Sequence, residues 1–123
     1  MKIFGHDWIE SERFYAVASI EEIKKTPANA LLKIDVLPDS LSIAKHCQKN
    51  QLRYAIEVKN IKEAIFANLL SATYILAEKR LAKELMPIAQ HYLFDTQILA
   101  YVKEEDIEEM AKDGVDGVII AYR

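Results

Sequence analysis

Cysteine is almost missing from this sequence: Cys47 is the only one in 123 residues. No intramolecular disulfide can form, and a reducing, cytoplasmic compartment is expected. Cys47 falls mid-helix on an apolar stripe, with no positioned base and no helix N-terminus to activate it, so core packing is its expected role. Glycine is scarce as well. With glycines only at positions 5, 114 and 117, the chain carries no Rossmann or P-loop fingerprint, which argues against nucleotide binding through a glycine-rich loop. No apolar run approaches the ~20 residues of a membrane span. The stretch from Met1 to Trp8 lacks the long apolar run and the small-residue cleavage site of a signal peptide. Excess positive charge is also absent. Sixteen Lys and Arg against 19 Asp and Glu leave a net charge of −3, which gives no electrostatic footprint for nucleic acid or an anionic membrane. His46 and His91 lack H-x-x-x-H spacing, no Cys/His cluster points to zinc, and there is no G-x-S-x-G elbow.

What is present is a rhythm of apolar strand and amphipathic helix. Phe14–Ala18, Ala30–Val36, Arg53–Val58, Thr73–Ala77, Gln97–Val102 and Val118–Tyr122 read as six strands. Ser19-Ile20-Glu21-Glu22 and Asn60-Ile61-Lys62-Glu63 have the pattern of helix capping boxes. Helices are expected after Ser19, over Leu41–Asn50, from Ile61 to Leu70, over Lys79–Leu93 with a kink or split at Pro87, and from Glu104 to Gly114. Leu41, Ala44 and Cys47 form one apolar stripe; Ile61, Ala64, Ile65 and Leu69 form another. The first eleven residues have no assigned element; Phe4, Trp8 and Ile9 are candidates to cap an open end of the core. This alternation predicts one α/β domain over residues 1–123. Its mostly parallel sheet has five or six strands and about five helices, with right-handed crossovers.

Side chains alternate along a strand. The last three strands are apolar on both faces, which favours an open doubly wound sheet covered on both sides. The second and third strands differ: Lys33 and Asp35 share one face, as do Arg53, Glu57 and Lys59. A polar face is what a half-barrel would carry, but of the two the open doubly wound sheet is the expected arrangement. Buried charge must be paired, so this face is expected at an open edge in water, against a partner subunit, or around a ligand or metal. The carboxyl ends of parallel strands are where α/β sheets place function, and Asp35, Glu57, Glu78, Lys103 and Arg123 lie at or near such ends.

Two local patterns resemble known families. Pro38-Asp39 followed by Glu57-Val58-Lys59 resembles the signature of the PD-(D/E)XK nucleases. That resemblance implies Mg²⁺ or Mn²⁺ held by Asp39 and Glu57, with Asp35 the alternative carboxylate, and Lys59 steadying the attacking water or the transition-state charge. Ala111-Lys112-Asp113-Gly114-Val115-Asp116-Gly117-Val118-Ile119-Ile120 is similar to the last helix-to-strand turn of many (β/α)₈ barrel enzymes. A full barrel takes about 200 residues or more, so the similarity implies at most a partial barrel.

The functional expectation is a non-catalytic interaction module that self-associates as a homodimer, with no membrane or nucleic-acid partner and no cofactor. Two other readings compete with it. One is the metal-dependent nuclease or phosphodiesterase built on Asp35 or Asp39, Glu57 and Lys59. The other is a binder of an anionic metabolite using Lys79, Lys103 or Arg123 at the carboxyl ends.

Overall fold

The computed structural model describes residues 1–120. The end of the expected last strand, Ala121-Tyr122, and Arg123 lie outside them. Seven parallel strands form one sheet: β1 (Lys2–Phe4), β2 (Phe14–Ala16), β3 (Leu31–Ile34), β4 (Tyr54–Glu57), β5 (Tyr74–Glu78), β6 (Gln97–Val102) and β7 (Gly117–Ile120). Five helices join them: α1 (Ile20–Ile23), α2 (Leu41–Lys49), α3 (Ile61–Leu69), α4 (Lys79–His91) and α5 (Ile107–Lys112). β1 is the strand that sequence pattern did not resolve. At three residues it is too short for a period to register.

Strand order is β1-β7-β6-β5-β4-β3-β2. From β2 to β7 each strand is added on the same side of the last. Right-handed crossovers that all step one way put every helix on one face. The main core obeys this: Ala44, Cys47, Ala64, Ala67, Leu85 and Met110 from the helices pack with Ile34, Ile56, Ile75, Ile98 and Val118 from the strands. A doubly wound sheet needs a reversal of strand order, and there is none, so the sheet is instead curled into a half-barrel. The apolar second face that suggested a second helical layer is covered from within. Leu31, Ala55, Tyr74, Leu76 and Leu99 form a smaller core with Phe4 and Phe14 from the two edge strands. Phe4 meets Phe14 with ring centroids 5.3 Å apart and Tyr74 edge-on at 5.7 Å. Residues 5–13 run from one edge strand to the other. Trp8 and Ile9 of this segment stay exposed and cap nothing.

The helices start and stop by repeated local chemistry. The Ser19 hydroxyl and the Asn60 amide oxygen accept the Glu22 and Glu63 amides, and those glutamates reach back to the amides of Ala18 and Lys59. α2, α3, α4 and α5 each end on a left-handed residue: Gln51, Ser71, Leu93 and Gly114. In each case the next amide bonds back to the helix: Leu52 to Cys47, Ala72 to Ala67, Phe94 to Ala89, Val115 to Met110. Gly117 is needed for a different reason. A β-carbon there would stand 2.7 Å from Leu99 Cδ2 and 2.9 Å from the Lys2 carbonyl oxygen, so only glycine lets β1 approach β7. Pro87 does not split α4; it is exposed, where water can satisfy the carbonyl it orphans.

Leu93 holds φ 54° with its side chain 82% exposed, so it bears backbone strain and gains little packing. Leu93→Gly should therefore stabilise the fold by about 0.5–1 kcal/mol, the left-handed penalty less glycine's extra unfolded-state entropy. Denaturant unfolding checks this, and an equal or lower midpoint would refute the strain.

Candidate functional site

The two ends of the half-barrel differ in how their polar groups are satisfied. At the amino ends of the strands two inner polar groups, Arg53 and Lys2, each have a partner. Arg53 makes a two-pronged contact with Glu12, at 2.9 and 2.6 Å, tying the 5–13 segment to β4. That hydrogen bond is the chief reason the Glu12 carboxyl is held below, and the Arg53 guanidinium above, its ordinary value. Lys2 Nζ donates to the Tyr74 hydroxyl at 2.6 Å.

The carboxyl ends form a cleft of about 340 Å³ lined by Ala16–Ala18, Glu22, Lys33, Ile34, Asp35 and Glu57. β3 and β4 are adjacent, with Lys33 opposite Ala55. Lys33 and Glu57 therefore stand diagonally on the inner face, one pleat apart. The Lys33 ammonium lies 5.9 Å from the Tyr101 ring centre, reaching across the curl from β3 to β6. Burial pushes the Tyr101 phenol up from its ordinary value; Lys33 opposes this and the Glu57 carboxylate adds to it. Farther around the mouth, His6 Nε2 is 3.3 Å from Glu104.

The positions singled out from sequence separate in space. Asp35 and Glu57 share the cleft, while Asp39 and Lys59 stand outside it, exposed in the turns that follow β3 and β4. Asp35 Oδ1 accepts the Val36 amide at 2.8 Å. The Lys59 amide serves the capping of α3. Among the described residues no three His, Cys, Asp or Glu side chains are grouped so as to hold a metal ion. Lys79 is engaged by Asp106 at 3.2 Å and Glu109 at 3.6 Å, which raise its pKa; Lys103 is exposed at the start of a 3₁₀ turn. Arg123 lies outside the described residues. Cys47 is fully buried, and desolvation pushes its thiol up to about 11, so it is a core residue and no nucleophile. Neither Lys33 nor Tyr101 stands out as a site residue in the sequence. Strand alternation places Lys33 on the polar face, but its approach to Tyr101 depends on the curl, which brings distant strands together.

A second feature lies on the outer, helical face. Leu37, Pro38, Leu41, Phe66, Leu69 and Leu70 line a groove of about 570 Å³ between α2 and α3, with Lys45, Lys62 and Glu63 around it. Leu41, Ile65 and Leu69, which the helical stripes assign to the core, are exposed, together with Phe66. Buried contacts of α2 and α3 are made instead by Ile43, Ala44, Cys47, Ala64 and Ala67. No protein-family model matches the chain, and no curated protein matches it. No helix among the described residues is long and apolar enough to cross a membrane.

If Lys33, Glu57 and Tyr101 face one another across the mouth, their charges set the phenol's titration. Lys33→Gln should move the Tyr101 pKa further up and Glu57→Gln should move it down. Carbon-13 NMR of ring-labelled tyrosine through alkaline pH reads both. A Tyr101 titration unmoved by either change would separate the three groups.

Proposed function

We propose that this chain is a non-catalytic interaction module that self-associates as a homodimer through the outer face of α2 and α3. The observation that carries the reading is the apolar groove there. Phe66 is 48% and Leu69 66% exposed on a helix whose buried contacts are supplied by small residues. Large apolar side chains clustered on one face and rimmed by charge are the usual character of an interaction surface. The rim carries both signs, Lys45 and Lys62 against Glu63. A two-fold axis through such a patch brings the lysines of one copy to the glutamate of the other, as an isologous interface requires. The phosphodiesterase reading has Asp35 and Glu57 on one cleft in its favour, but Asp39 and Lys59 stand outside it, so the interaction reading is preferred. A cytoplasmic setting is supported by the lone, buried thiol of Cys47.

Light scattering coupled to size exclusion should give a dimer for the wild type. Phe66→Glu and Leu69→Glu, which put charge into the proposed interface, should give folded monomers with the affinity lowered by a hundredfold or more, about 3 kcal/mol. A wild-type monomer at about millimolar concentration would overturn self-association.

A further inference from the structure

Nearly every half-buried charged side chain among the described residues has found a partner. Arg53 has Glu12, Lys79 and Lys83 have Asp106 and Glu109, and Asp116 accepts the Ile98 amide. Lys33 and Glu57 are the exceptions. Among the described residues, Lys33 has no carboxylate within ion-pair distance and the Tyr101 ring beside it, and Glu57 has no donor. Both line the same cleft at the carboxyl ends of the strands. Opposite charges this close on one sheet face would ordinarily collapse into an ion pair. Here the Lys33 ammonium is turned instead toward the Tyr101 ring, 5.9 Å from its centre. From a strand spacing of ~4.8 Å and a rise of ~3.3 Å per residue, the Lys33 and Glu57 α-carbons stand roughly 8 Å apart.

We propose that the mouth of the half-barrel binds a small zwitterion of the α-amino-acid class, its carboxylate on Lys33 and its ammonium on Glu57, with Asp35 beside it. An anion would satisfy Lys33 but meet two carboxylates. A simple cation would satisfy Glu57 but meet Lys33. A ligand carrying both charges on neighbouring atoms satisfies both with charge-assisted hydrogen bonds. Of the third lining carboxylate, Glu22, one oxygen is taken up by the Ala18 amide at 2.8 Å, so its charge stays anchored at the rim. The volume of about 340 Å³ suits a ligand of this size.

The test is a proton–nitrogen NMR titration of the full chain with each proteinogenic amino acid at about 10 mM, well above a ~1 mM dissociation constant. Acetate and methylamine serve as single-charge controls. At least one amino acid should shift the amides of Ala16, Val17, Ala18, Lys33, Asp35 and Glu57, and neither control should match it. Lys33→Gln and Glu57→Gln should each weaken binding tenfold or more while the spectrum stays that of a folded chain. The combined Lys33→Glu, Glu57→Lys exchange should recover part of the loss by taking the ligand in reverse. No shift with any amino acid, an equal shift with acetate or methylamine alone, or full binding by the single variants would overturn the proposal.

Discussion

Right-handed crossovers that always step to the same side leave a parallel sheet with helices on one face only. Everything else in this structure answers to that constraint. The bare face has to be buried by other means, and the chain does it by curling. Phe4 on one edge strand, Phe14 on the other and Tyr74 on β5 between them meet inside the curl. Gly117 is what admits the first strand, because any β-carbon there would strike Leu99 and the Lys2 backbone. Edge strands, ordinarily a liability, here face one another and are linked by residues 5–13.

The same curl makes the two ends unequal. At the amino ends, Glu12–Arg53 and Lys2–Tyr74 close the interior with matched polar groups. At the carboxyl ends, Lys33 and Glu57 stand apart over a cleft. The outer surface has its own asymmetry. α4 buries Leu81, Leu85 and Met86, whereas α3 buries only alanines and leaves Phe66 and Leu69 in water. One end of the half-barrel thus presents mixed charge in a cleft, and one flank presents apolar side chains around a groove. Among the described residues, polar satisfaction at the first and packing at the second are both incomplete.

The sequence is legible where a local rule decides. The alternation of strand and helix, the capping pairs Ser19–Glu22 and Asn60–Glu63, the buried Cys47 and the left-handed Gly114 all follow from short-range chemistry. What it hides is set by tertiary geometry. Leu41, Ile65 and Leu69 have core periodicity yet face out, because Ile43, Ala64 and Ala67 already bring their helices close to the sheet. The two-sided apolar strands β5 and β6 suggested two helical layers, and strand order, which sequence does not carry, put aromatic residues there instead. Of the carboxylates proposed from sequence, Asp35 and Glu57 line one cleft. Asp39 and Lys59 fall in turns, since β3 and β4 end at Ile34 and Glu57 and no longer dictate which way later side chains point.

The half-barrel depends on the edge strands closing on each other through Phe4 and Phe14. Nuclear Overhauser effects between selectively labelled phenylalanine and tyrosine rings test it in solution. With ring centroids 5.3 and 5.7 Å apart, Phe4 should show strong cross-peaks to both Phe14 and Tyr74. Cross-peaks from Phe4 to neither ring would mean an open sheet and would contradict the closed interior, the polar plug beneath it and the cleft above.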